Sequence, residues 1–151
     1  MPNESGPPAG ALASEVRVRY GDTDQMGMAH HANHLRWFEE GRTEWIRARG
    51  RSYREIEASG IRLPLVEAYV HYLAPARYDD RIRVWTWVDE LGRASVRFAY
   101  RLERVGDDER LATGFTRHCF LDPAGRPVVA DAELRSLLSG KTQPGLAEAP
   151  G

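Results

Sequence analysis

The chain has 151 residues, 42% of them hydrophobic and 28% charged, with a formal net charge of −1. These values suit one globular domain and exclude a disordered or fibrous chain. The near-zero charge removes the electrostatic case for nucleic acid or an anionic membrane surface as partner. Lys141 is the only lysine, so the positive charge is almost all arginine. That reads either as phosphate-recognising guanidinium groups or as codon usage without function. Cys119 is the only cysteine, so no intrachain disulfide can form, which fits a reducing cytoplasm, the expected location. No apolar run is long enough to span a bilayer, and the N-terminus lacks the basic-then-apolar pattern of a secretory signal.

Residues 1–13, rich in Pro, Gly and Ala, read as a flexible tail, and residues 139–151 read the same way. The folded unit is expected over residues 14–138 as one domain. Within it, Glu15 to Tyr20 alternates Val16, Val18 and Tyr20 with Arg17 and Arg19, the pattern of a half-buried strand. Gly21 to His31 is a loop dense in Asp, Gly and His. A helix follows, starting between His30 and His34 and ending before Gly50, a natural helix-closing residue. Its positions Phe38, Gly41, Trp45 and Ala48 share one face. Gly41 on that face lets the helix backbone approach a sheet closely. Ser52 and Glu55 form a capping box for a short second helix closed by Gly60.

The rest reads mostly as strand. Val66 to Leu73 is a strand and Pro75 to Asp80 a turn. Ile82, Val84, Thr86 and Val88 alternate with charged and aromatic residues, as do Val96, Phe98, Tyr100 and Leu102. Leu111 to Leu121 is another strand, followed by a turn at 122–125 and a short apolar return at Val128 and Val129. Asp131 caps a last helical turn through Leu138. One apolar-faced helix with this much sheet predicts an α+β fold in which an antiparallel sheet of about five strands curls round the helix.

The stretch from Tyr20 through Asp22, Thr23, Asp24 and Gly27 to His30, His31, Ala32 and Asn33, continuing from Leu35 to Glu44, resembles the signature of the 4-hydroxybenzoyl-CoA thioesterase family and its short-chain acyl-CoA thioesterase relatives. Tyr72 to Asp80 resembles that family's second strand and turn. The resemblance spans residues 15–138. It implies the hotdog fold, a long helix wrapped by a curved antiparallel sheet, with subunits associating as a dimer or a tetramer built from dimers and sites at the subunit junction. It places the catalytic carboxylate on Asp24 and, near His31, the backbone N–H that polarises the thioester carbonyl. His34 stands where many relatives carry Tyr.

The chemistry of the loop agrees with that implication. Thioester hydrolysis needs a nucleophile or activated water and a place for charge on the carbonyl oxygen. A helix N-terminus supplies the second, because its first N–H groups lack intrahelical partners and its dipole favours negative charge. Asp24 supplies the first, by direct attack or as general base. Gly27 keeps the loop compact for an approaching carbonyl. Asp22 is expected to orient the loop. The His31 side chain either assists Asp24 or simply packs at the helix start. His30 and His34 are four residues apart and, on a helix, share a face, so Asp24, His30 and His34 form a rival metal set. The implied family needs no metal and no bound cofactor, and none is expected. Trp85 and Trp87 share a strand face, suited to packing at a sheet or subunit interface.

The expectation is therefore an acyl-CoA thioesterase, acting on CoA or acyl carrier protein thioesters. The rivals are a non-catalytic acyl-thioester binding protein, a metal-dependent hydrolase, and a hotdog dehydratase, whose usual histidine-plus-acid pattern this loop does not resemble. No G-x-S-x-G elbow, G-x-G-x-x-G or phosphate-binding G-x-x-x-x-G-K occurs. His118 and Cys119, adjacent on a strand, face opposite sides and cannot act as a pair.

Overall fold

The computed structural model describes residues 6–139. Residues 1–5 and 140–151, which hold part of the expected N-terminal tail and nearly all of the expected C-terminal one, lie outside the described residues. The alternating segments become five strands: β1 (Leu12–Arg17), β2 (Leu65–Tyr72), β3 (Arg81–Leu91), β4 (Ser95–Arg104) and β5 (Arg110–Cys119). They form one antiparallel sheet in the order β1-β3-β4-β5-β2, so β1 and β2 are its edges. Three helices accompany it: α1 (Asn33–Ala48), α2 (Tyr53–Ala58) and α3 (Ala132–Leu138). This is the hotdog architecture, an α+β fold with α1 packed into the concave face.

The core forms where α1 meets β3, β4 and β5. Ile82, Val84, Phe98, Leu102 and Leu111 face inward from the strands, and Phe38, Trp45 and Ile46 face them from the helix, all essentially without solvent contact. Phe38 stacks on Tyr100 at 4.2 Å between centroids, and Trp45 meets Phe98 edge-on at 5.7 Å. Burying each such side chain contributes about 1.5–3 kcal/mol. Gly41 is the point of closest approach: a Cβ there would lie 2.5 Å from Thr86 Oγ1 and 2.6 Å from Val84 Cγ1. Only a residue without a Cβ lets α1 sit this deep in the sheet.

Several expectations need correction. The first strand starts at Leu12, three residues earlier than expected, and ends at Arg17, so the fold begins before residue 14. The apolar alternation does run on to Val18, which still pairs with Asp79 and Asp80. Tyr20 does not belong to the strand, because the Asp22 carboxylate accepts the Arg19 N–H at 2.9 Å and folds residues 20–22 into a 3₁₀ turn. Ala48 is exposed, while Trp37 and Ile46 are buried. The packed face of α1 runs His34–Phe38–Gly41–Trp45 and has left the sheet one turn later. The return at Val128 reduces to an isolated bridge between Leu121 and Pro127. The capping box of Ser52 and Glu55 and the Asp131 cap both form.

Candidate active site

The loop between β1 and α1 is built around two aspartates with different tasks. Asp22 is buried. Its carboxylate receives the Arg19 backbone and side chain and lies 3.0 Å from Arg36 Nη2 on α1. Burial alone would push this carboxyl up, but the Arg19 hydrogen bonds and the Arg36 charge outweigh it and hold it below the usual carboxylate range. The Asp22 carbonyl accepts the His30 N–H at 2.8 Å and Asn33 Nδ2 at 2.9 Å. Asp22 therefore ties the start of the loop to its end and to the start of α1.

Asp24 is exposed. Its Oδ1 accepts the N–H groups of Met26 at 2.8 Å and Met28 at 3.2 Å, and its own N–H donates to the Met28 carbonyl. Gly27 closes this turn with φ +77°, a conformation that glycine adopts without steric cost. Oδ2 accepts no hydrogen bond among the described residues. One carboxylate oxygen thus fixes the turn, and the other remains available.

At the start of α1, Ala32 occupies the N-cap position and no side chain caps the helix. Helices usually satisfy these first N–H groups with Ser, Thr, Asp or Asn. The His31 N–H donates to no acceptor among the described residues. The His31 carbonyl, by contrast, meets three groups: Tyr72 Oη donates to it at 2.8 Å, His34 Nδ1 lies 3.1 Å away, and the His34 N–H donates to it at 3.4 Å.

The three histidines separate in role. His30 precedes α1, and its Nδ1 accepts the Ala32 N–H at 3.2 Å. The expected shared helix face of His30 and His34 is therefore lost, because only His34 lies on the helix. Among the described residues no cluster of three His, Cys, Asp or Glu side chains is placed to hold a metal ion, so the set of Asp24, His30 and His34 does not converge. His31 is exposed, with its ring against that of His30 at 4.1 Å. No hydrogen bond joins it to Asp24 among the described residues. His34 is buried between Trp37 and Tyr72. Burial pushes its imidazole down, against the opposing effect of the His31 carbonyl.

Residues 18–138 match the model of the thioesterase-like superfamily. The chain belongs to that family. The Bacillus subtilis protein named "Putative acyl-CoA thioesterase YneP" is 36% identical over 114 residues, 76% of this chain and 83% of that one. Among solved structures, a hypothetical protein of Aquifex aeolicus superposes with a TM-score of 0.79 at 32% identity, covering 84% of this chain and 98% of that one. A DHNA-CoA thioesterase from Staphylococcus aureus superposes with a TM-score of 0.79 at 27% identity, covering 86% and 87%. This member of the thioesterase-like superfamily is thus a thioester hydrolase on the hotdog scaffold, and none of its described helices is long and apolar enough to cross a membrane.

One site residue of this thioesterase escaped sequence reasoning. Tyr72 ends β2, 41 residues from His31. The only sequence signal was its position at the head of the second family-like stretch.

Proposed function

We propose that this thioesterase hydrolyses an acyl-CoA, or an acyl carrier protein thioester, to the free acid and thiol, with Asp24 as the catalytic carboxylate. The observation that carries the reading is the pairing, on one short loop, of a carboxylate oxygen left free at Asp24 with a backbone N–H left without an acceptor at His31, just before α1. The substrate class is supported by the name of the Bacillus subtilis relative and by the activity of the Staphylococcus aureus structure.

In this reading the thioester carbonyl oxygen sits against the His31 N–H, just before α1, because the N–H groups of Ala32, Asn33 and His34 already have acceptors. Such a donor typically contributes about 3 kcal/mol to the transition state. Asp24 Oδ2 either attacks the carbonyl carbon, giving a mixed anhydride and a thiolate that water then resolves, or takes a proton from a water that attacks instead. Both routes place the negative carboxylate beside the carbonyl carbon and the developing oxyanion on the helix side. The His31 ring is open to solvent, so in this account its backbone does the work.

We place the working unit as a dimer or a tetramer built from dimers, in the cytoplasm. The edge strand β2 supports self-association. Leu65, Val66 and Tyr69 on it are each more than half exposed, and an unpaired, apolar edge is an aggregation hazard unless it is covered. The absence of any possible intrachain disulfide suits a reducing compartment.

Thiol release from a panel of acyl-CoAs and acyl carrier proteins tests the reading. Turnover that survives a chelator supports it. Loss of activity with a chelator would favour the metal-dependent alternative, and binding without thiol release would favour a carrier of acyl thioesters.

A further inference from the structure

The bond between Tyr72 and the His31 carbonyl has no evident task in holding the fold together. Tyr72 is nearly half exposed, and hydroxyl bonds at such sites compete with water. Yet it reaches from the edge strand of the sheet to the peptide that opens α1, at 2.8 Å. Its backbone is anchored through pairing with Ala112 on β5, and its ring packs edge-on against His34 at 4.7 Å. His34 Nδ1 approaches the same carbonyl from the helix side at 3.1 Å. The peptide plane between His31 and Ala32 is thus gripped from two sides, by the sheet and by the helix. Its other end is gripped too, because the Ala32 N–H donates to His30 Nδ1.

We propose that Tyr72 is a positioning residue, which fixes the peptide at the start of α1 and thereby aims the neighbouring His31 N–H at the substrate carbonyl. The inference rests on the hydrolytic reading of the site given above. Oxyanion stabilisation depends on donors held in place before charge develops, because a donor that must reorient during the reaction contributes less. Here the donor itself has no hydrogen-bond partner among the described residues to steady it. Its own peptide is held through the His30 carbonyl, which accepts the Asn33 N–H at 3.0 Å, and the peptide that follows it is held by Tyr72, the one hydrogen bond to that peptide from the sheet among the described residues; residue 31 is thus fixed at both ends. Burial also pushes the Tyr72 hydroxyl up, so it remains a donor across the working range of pH.

Tyr72→Phe keeps the ring against His34 and removes only the hydroxyl. Two readouts are needed: steady-state kinetics on the best acyl-CoA, and hydrogen exchange of the amides of residues 30–34. The expected result is a kcat lowered about tenfold, a fraction of what a lost oxyanion donor costs, with KM within about twofold of wild type. Exchange at Ala32 and Asn33, whose N–H groups are hydrogen-bonded in wild type, should rise while the α1 interior, melting temperature and oligomer size stay unchanged. A kcat within about twofold of wild type overturns the proposal. So does a loss of kcat without faster exchange at residues 30–34, which would mean that the hydroxyl acts some other way. Absence of thiol release from wild type sinks the underlying reading and this proposal with it. That outcome is distinct from a failure of Tyr72 alone, in which both proteins turn over equally.

Discussion

Asp22 Oδ1 lies 3.0 Å from Arg36 Nη2, so the loop that carries Asp24 is bolted to the first turn of α1 by a buried carboxylate. The same residue's carbonyl holds His30 and Asn33. In the proposed mechanism, the geometry around Asp24 is set in part by Asp22, which itself takes no part in the chemistry.

Asp22→Asn should therefore destabilise the protein and reduce turnover indirectly. Loss of the charge-assisted hydrogen bonds from Arg19 and of the ion pair with Arg36 is expected to cost about 1–3 kcal/mol. Because the folded carboxyl lies below its ordinary value, its contribution is full above the unfolded value of about 3.9 and is lost as pH falls toward the folded one. Urea melts of both proteins at neutral pH and near pH 3 check this, with the difference between them shrinking at the lower pH. Equal stability at neutral pH would remove Asp22 from this role.

Gly41→Ala probes the deepest helix–sheet contact. One added methyl meets Thr86 and Val84 at separations that no real contact tolerates. Overpacking of this kind costs roughly 1–3 kcal/mol even after neighbours shift, which more than offsets the gain in helix propensity. A melting temperature at or above wild type would show that α1 does not approach β3 this closely.

His118 should make stability depend on pH in a second window. It is buried, with Nε2 at 2.9 Å from Thr116 Oγ1 and Nδ1 at 3.0 Å from the Leu63 carbonyl. Burial, reinforced by the Arg42 charge, pushes it down to about 4. The unfolded chain, with a value of about 6.5, then binds more protons than the folded one between these limits. Stability is full above that range and falls as pH drops through it, by roughly 3 kcal/mol at most. His118→Gln should be less stable near pH 7.5 but show a flatter profile from there to pH 4.5, read by thermal melts. His34, shifted the same way, should leave some residual slope. An unchanged slope in the variant would contradict the assignment.

Paired substitution of Leu65 and Val66 by Lys tests the edge strand. Charges on an exposed edge block strand pairing without disturbing the interior, so sedimentation should report a monomer with native circular dichroism. Wild type should sediment as a dimer or tetramer at micromolar concentration. A wild-type monomer, or a variant that assembles like wild type, would contradict pairing through β2.

Much of this molecule was legible in its sequence, for identifiable reasons. Strands β3 and β4 alternate over many residues, and α1 carries a long apolar face, so their existence follows from periodicity alone. The start of β1 was not legible because Leu12 to Ser14 carries little contrast between faces. Burial of Trp37 and exposure of Ala48 depend on where the sheet curves away from α1, which no local pattern records. The loop motif marked Asp24 and His31, but the division of labour between Asp22 and Asp24 rests on Arg36, twelve or more residues on. His30 and His34 suggested a metal pair only on the premise of a helix that in fact begins at Asn33. Tyr72 was hidden because its partner is distant in sequence and is a backbone carbonyl, which no side-chain pattern reveals.

The most direct test of the central claim is the turnover number of Asp24→Asn on the best acyl-CoA, with melting temperature and oligomer size shown to match wild type. The amide keeps the size of the side chain and can still accept the Met26 and Met28 N–H groups, but it is neither a nucleophile nor a base. Turnover should fall by about 10² to 10⁴, while substrate binding measured by calorimetry stays within about threefold of wild type or tightens. A folded Asp24→Asn that retains more than about a tenth of wild-type turnover, outside the range expected for a lost base, would contradict the assignment of Asp24 as the catalytic carboxylate.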